Sequence, residues 1–177
     1  MDKIKIAFAG WSGSGKTTAA RYLADKYNGE VVSFAEGIKY IDRYLFGNQP
    51  KERDRLQRIG EFFRSFDPDI WVKRTLETCE FEDRVFIDDL RRENEYIALK
   101  NAGFKFVRIV ADEDIRIKRL IERDGKCDVT LLYNSSENGC ASIPMTEIEN
   151  NDSIEELYAQ LDELMEEWGF AEIADRN

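Results

Sequence analysis

Hydrophobic positions recur first at period two and then at helical spacing, and this switch repeats along the chain. Ile4, Ile6 and Phe8 alternate with Lys5, Ala7 and Ala9, the pattern of a strand. The small residues Ala7 and Ala9 leave room for a helix to pack closely on the other face. GWSGSGK follows as a loop, and TTAARYLADKY then places Ala20, Leu23, Ala24 and Tyr27 on one side of a helix. Glu30–Phe34 reads as a second short strand. Ile38, Ile41 and Leu45 return at helical spacing, and Gly47 stands where glycine ends a helix. Pro50 is expected to open another helix, with Leu56, Ile59, Phe63 and Phe66 as its apolar stripe. Asp67-Pro68 signals a further helix start, and Trp71, Val72, Leu76 and Cys79 form the buried side of that helix.

RVFID, Arg84–Asp88, is a continuous apolar run ending in acid, suited to a central parallel strand covered on both faces. Glu93–Asn101 reads as helix, Gly103 ends it, and FKFVRIV is the next strand. Asp112 caps a helix over Glu113–Arg123. Ile154, Leu157, Tyr158, Leu161, Leu164, Met165 and Trp168 make the clearest amphipathic helix. Asp152 and Ser153, with Glu155 and Glu156 three residues later, form a capping-box start for it. The polar stretch GKCDVTLLYNSSENGCASIPM has no helical period and reads as a surface insertion.

Strands alternating with helices predict an α/β fold in three layers, a parallel sheet flanked by helices. Ligands on such sheets bind beyond the carboxyl ends of the strands. The loop at Gly10, Ala35–Lys39, Asp88–Glu95 and the helix after Val110 all follow strands, so they are expected to converge on one edge.

Composition narrows the chemistry. The 177 residues fit one domain, 1–177, with a core large enough to need no disulfides. Histidine is absent, which excludes Ser-His-Asp triads, Cys-His dyads and His-ligated zinc. Cys79, Cys127 and Cys140 lack C-x-x-C spacing and suit a reducing cytosol. The first ten residues have no signal-peptide layout, and no apolar run approaches spanning length, so a cytoplasmic location is expected. A net charge of -10 disfavours polymeric nucleic acid as a partner but leaves room for a basic pocket around a small anion.

Gly10-Trp-Ser-Gly-Ser-Gly15-Lys16-Thr17 matches G-x-x-x-x-G-K-[ST] in full, between a strand and a helix as the motif demands. Its backbone N–H groups and the positive end of the following helix suit phosphate oxygens. This assigns Gly13, Ser14, Gly15, Lys16, Thr17 and Thr18 to the phosphates of ATP, and Thr17 to Mg²⁺ as cofactor. The fold expectation sharpens to a P-loop nucleoside triphosphate hydrolase or kinase. Asp88 and Asp89 end the strand expected beside the loop and can hold Mg²⁺ opposite Thr17. Asp89 can instead cap the helix that follows it.

At this point three further segments carry a resemblance. IDDLRRENEYIALKNAG, SFAEGIKYIDRYLFG and RDRLQRIGEFFRSFDPDIWV together resemble the phage-type deoxynucleoside monophosphate kinases, over roughly Lys3 to Arg123. The chain departs from that family at Glu36-Gly37-Ile38-Lys39, where Asp-Pro-Leu-Lys is frequent, and at Arg92 and Glu93, where an aromatic residue and proline are frequent. The resemblance implies a kinase that transfers the γ-phosphate of ATP to a (deoxy)nucleoside monophosphate. It also implies a helical substrate-covering region at about 36–82 and a lid region at about 112–145. Arg64 falls where the family places a monophosphate-binding arginine, and Arg91 and Glu95 fall in its Arg-x-x-Asn-Glu segment. Glu36 and Lys39, on the substrate edge, complete the expected acceptor site.

Arg116, Arg119 and Arg123 lie at i, i+3 and i+7. Arg119 and Arg123 are expected to close over the triphosphate and to act catalytically with Lys16; a solvated charged face is the alternative. The partners expected are ATP and a nucleoside monophosphate, without membrane and with a homodimer as an option. Two other functions fit the loop: a kinase of another small acceptor, resembling dephospho-coenzyme A kinase, and a slow ATP-hydrolysing switch.

Overall fold

The computed structural model describes residues 3–47, 52–125 and 140–170. Five strands form the sheet: β1 (Ile4–Ala9), β2 (Glu30–Val32), β3 (Arg84–Ile87), β4 (Lys105–Val110) and β5 (Thr146–Glu149). Their order is β2-β3-β1-β4-β5, and every pairing is parallel. The helices are α1 (Lys16–Tyr27), α2 (Ala35–Phe46), α3 (Arg53–Arg64), α4 (Ile70–Cys79), α5 (Glu93–Asn101), α6 (Glu113–Asp124) and α7 (Ile154–Glu167).

The alternation along β1 divides the core. Ile4, Ile6 and Phe8 pack with Ala20 and Leu23 of α1 and with Leu157, Leu161 and Met165 of α7. Ala7 and Ala9 face the opposite layer, with Val72 and Cys79 of α4 and Leu99 of α5. Central strands are covered on both sides, so Val85, Phe86 and Ile87 are all fully buried.

Several local expectations shift. β2 stops at Val32, because Asp89 draws the next backbone N–H groups away from the ladder. The expected helix start at Pro50 lies outside the described residues, and α3 begins at Arg53. Asp67 does not open α4. Its carboxylate accepts from the Asp69 N–H (3.0 Å) in a turn, and Asp69 becomes the N-cap. At α7 Ser153 caps as expected, accepting from the Glu156 N–H at 3.2 Å.

β5 has no counterpart in the sequence reading. TEIE buries only Ile148, too little alternation to register as a strand. Tertiary contacts make it one. Arg108 of β4 bonds the Cys140 carbonyl (2.7 Å), the Ile143 carbonyl (2.6 Å) and the Glu147 carboxylate (2.7 Å), pinning the chain where it rejoins the sheet edge. Most of the polar stretch at 125–145, with Cys127 and part of the expected lid region, lies outside the described residues. Cys79 and Cys140 are buried, and burial pushes their thiols up to about 11 and about 12, which leaves them inert near neutral pH. Among the described residues no helix is long and apolar enough to cross a membrane.

Candidate active site

The carboxyl ends of β1, β2 and β3 open, with α3 and α6, onto one cleft of about 810 Å³. Among the described residues, eight lysines and arginines line it against five carboxylates. In a chain of net charge -10, that local excess of positive charge marks a seat for an anion.

The phosphate loop forms one wall. Gly10 and Gly15 adopt φ +135° and +105°, where a side chain would be strained and crowded. A Cβ would meet the Ile109 carbonyl at 2.3 Å and Asn150 Nδ2 at 2.3 Å respectively. The loop therefore lies directly on the sheet and on the segment after β5. Lys16 Nζ donates to the Gly10 carbonyl (2.6 Å) and the Trp11 carbonyl (2.9 Å), keeping the loop curled. Gly13, Gly15, Lys16, Thr17 and Thr18 line the cleft. Ser14 lies beneath them: it is fully buried, its N–H donates to the Trp11 carbonyl (3.1 Å) and its Oγ has no hydrogen-bond partner, so it does not line the cleft.

Asp88 and Asp89 have separate tasks. Thr17 Oγ1 donates to Asp88 Oδ2 at 2.7 Å, while Asp88 Oδ1 is buried without a partner. Burial, then the Asp89 charge, pushes the Asp88 carboxyl above its ordinary range. An orphaned buried carboxylate oxygen beside a hydroxyl that donates elsewhere suits a hard divalent cation. No cluster of three or more acidic or sulfur ligands gathers among the described residues, so phosphate oxygens and water must fill most of such an ion's shell.

Asp89, expected with Asp88 at the metal, is committed to the backbone. It accepts from Ser33 Oγ (2.7 Å), the Phe34 N–H (2.9 Å) and the Ala35 N–H (3.0 Å). It caps α2, more than fifty residues back in the chain, rather than the helix that follows it.

The opposite set of residues comes from α3 and the β3–α5 connection. Leu56, Gln57, Gly60, Glu61 and Arg64 present one face of α3 to the cleft. Gly60 lets that face close up: its Cβ would lie 3.0 Å from both Arg64 Nη1 and Ile38 Cδ1. The Gly60 carbonyl accepts from Trp71 Nε1 at 3.1 Å, so Trp71 holds α4 to α3 and is a core residue. Arg64 ion-pairs with Glu61 at 3.1 Å, and burial, then the nearby Arg92, lowers its pKa. Arg91 and Arg92 also line the cleft. Arg92, in the sequence only a departure from the family pattern and not a candidate site residue, reaches Glu61 across 31 residues.

Glu95 lines the cleft but is 3% exposed. It accepts from the N–H groups of Arg91 and Arg92, both at 2.9 Å, and so caps its own helix. Burial is the largest cause raising its pKa to about 7. Lys39 lines the cleft, and Glu36, exposed one helical step before it on α2, is not among the residues that line it.

The arginines of α6 divide. Arg116 is buried behind the loop, donating to the Ala111 carbonyl (3.1 Å) and the Ser12 carbonyl (3.4 Å). Arg119 and Arg123 line the cleft. Arg119 donates to the Asn150 carbonyl (3.0 Å) and to Asn150 Oδ1 (3.4 Å), and Asn150 Nδ2 donates to the Ser14 carbonyl at 2.7 Å. Asn150, buried and unmarked in the sequence, thus joins the loop, β5 and α6. Arg123 is paired with its neighbour Asp124 at 2.7 Å.

A phosphate loop with an adjacent strand-end acid, set on an all-parallel β2-β3-β1-β4-β5 sheet, makes this a P-loop protein of the kinase-like fold. Residues 6–139 match the AAA domain family (AAA_18), and the chain belongs to it. The fold is similar to that of a gluconokinase from Sinorhizobium meliloti 1021, with 17% identity, 94% of this chain and 96% of that one covered, and a TM-score of 0.59. It is also similar to shikimate kinase from Bacteroides thetaiotaomicron, with 19% identity, coverage of 94% and 99%, and a TM-score of 0.56. At these identities the likeness shows the fold. In sequence, the chain is 37% identical over 112 residues to the uncharacterized protein ORF77 of Ictalurid herpesvirus 1 (strain Auburn), covering 59% of this chain and 49% of that protein. It is 35% identical over 75 residues to ORF76 of the same virus, covering 41% and 31%. The chain spans about half, or less, of the length of these curated relatives.

Proposed function

We propose that the chain is an ATP-dependent kinase that transfers the γ-phosphate to a (deoxy)nucleoside monophosphate. The observation that carries this reading is the second cationic face in the cleft. Arg64, Arg91 and Arg92 stand on elements separate from the phosphate loop, beside Gln57 and Lys39. A protein that only binds and hydrolyses ATP has no need of such a face, whereas an acceptor that is itself a phosphate does.

In this reading the loop backbone and the α1 N-terminus seat the β- and γ-phosphates, and Lys16 exchanges its loop carbonyls for their oxygens. Thr17 and Asp88 would hold Mg²⁺ brought with ATP, which supplies charge neutralisation on the phosphates. Thr17 donates its proton to Asp88, so its lone pairs remain for the cation. The acceptor phosphate is already nucleophilic and needs no histidine base. Arg64 and Arg91 orient it. Arg119, held by Asn150, and Arg123, once released by Asp124, would place positive charge on the transferring group and exclude water, which makes α6 the carrier of the lid.

The test is ADP release by the purified chain with ATP, Mg²⁺ and a panel of ribo- and deoxyribonucleoside monophosphates, alongside gluconate, shikimate and dephospho-coenzyme A. Turnover with one or more monophosphates is expected. Turnover confined to the other acceptors, or independent of any acceptor, overturns the reading.

A further inference from the structure

We propose that Glu61 is a built-in occupant of the acceptor's phosphate seat, bridging Arg64 and Arg92 until an incoming phosphate displaces it. This deepens the kinase reading and rests on its placement of the acceptor.

One carboxylate oxygen serves both cations. Glu61 Oε1 accepts from Arg64 Nη1 at 3.1 Å and also from Arg92 Nη2. The two arginines come from different elements, the last turn of α3 and the N-cap of α5, and Glu61 pairs with both. Glu95, close by, is already committed to two backbone N–H groups.

Exposure is unequal across this bridge. The Glu61 side chain is 49% exposed, against 16% for Arg64 and 31% for Arg92. Arg64 is folded over Gly60, where a Cβ would crowd its guanidinium. Arg64 is therefore held by packing and Arg92 is the better covered member of its pair, while the anion can turn out to solvent. A half-exposed carboxylate is bound weakly, because solvent screens the pair and ordering long side chains costs entropy. A phosphate offers three oxygens and up to two charges, enough for a separate charge-assisted bond to each guanidinium. The exchange satisfies both arginines better than the shared oxygen does. In the empty cleft, Glu61 keeps two like charges together that would otherwise repel, so the seat is formed before the acceptor arrives.

The experiment titrates inorganic phosphate calorimetrically into the full chain with the donor site filled by a nonhydrolysable ATP analogue. The wild type is compared with Glu61→Gln, Arg92→Met and the double variant. Analogue affinity within about twofold of wild type reports an intact fold. Glu61→Gln is expected to bind phosphate about three- to tenfold more tightly. Arg92→Met should bind it about tenfold or more weakly, and Glu61→Gln should bring no gain in that background. If Glu61→Gln does not fold, Glu61→Asp, whose shorter arm bridges poorly, should tighten binding in the same direction. Unchanged or weaker phosphate binding in the Glu61 variants overturns the proposal. If the phosphate affinities behave as stated but no nucleoside monophosphate is phosphorylated, the acceptor assignment fails and this seat stands. If monophosphates are phosphorylated while phosphate binding ignores Glu61 and Arg92, this proposal alone fails.

Discussion

The two walls of the cleft are built by different means. The phosphate-loop wall rests on buried backbone. Its glycines take conformations closed to other residues, its lysine holds its own carbonyls, and Asn150 and Arg116 clamp it from behind. The α2–α3 wall rests on side chains. Gly60 aside, no residue of α3 described to its side chain is buried, and its anchors are ion pairs such as Asp42–Arg55 at 2.5 Å. Tyr40, Tyr44 and Phe62 stand well exposed along these helices, and Phe66 just beyond the end of α3. Backbone clamps hold whatever phosphate the loop accepts, whereas a wall of side chains on a thin core can be retuned residue by residue. Under the proposed function the first wall suits the donor, and the second suits the acceptor.

The sharpest way to break this contrast is on the loop. Lys16→Ala is expected to lower kcat by about 10³-fold or more, since the ammonium acts on the transferring oxygens. Melting temperature and circular dichroism should show a folded chain; near-normal turnover would remove the loop from the chemistry. Next comes α6. Arg119→Ala should cost about 10²-fold in kcat with a smaller change in ATP KM, and Arg123→Ala less, because Asp124 already neutralises it. Equal and negligible losses in both would return this helix face to plain solvation.

Glycine pairs then compare the walls directly. Gly15→Ala forces a Cβ against Asn150 at a positive φ and should destabilise the chain by about 3 kcal/mol, with ATP binding lost in parallel. Gly60→Ala meets only the ends of flexible side chains. The helix preference for alanine, about 0.5–1 kcal/mol, should leave stability nearly unchanged, while acceptor KM rises and ATP KM does not. Denaturant titration with both KM values decides it, and a similar loss of stability at the two sites would erase the distinction.

The smallest effect is a pH slope. Glu95, raised to about 7, stabilises the fold most below its unfolded value near 4.5, and that contribution fades as pH rises through 7. Glu95→Gln should therefore gain stability over wild type between pH 5 and pH 8, by roughly 2 kcal/mol. Parallel stability curves for the two proteins would show that Glu95 does not titrate in this range.

The sequence alone determined what is written in neighbouring residues. The loop follows from eight consecutive residues, Gly10–Thr17, and the strand before them; α5, α6 and α7 follow from helical spacing; and of the α3 face that lines the cleft the sequence marks only Arg64, through the family resemblance. Only the tertiary structure decided which polar group meets which. Asp89 caps a helix 54 residues away, Asn150 reaches a loop 136 residues away, Arg92 joins Glu61, and Arg116 turns behind the loop. Helix and strand periods are local because each backbone hydrogen-bond pattern repeats within a few residues. A side chain that bonds a distant backbone leaves no such period, and its partner is chosen only when the sheet order brings the two strand ends together.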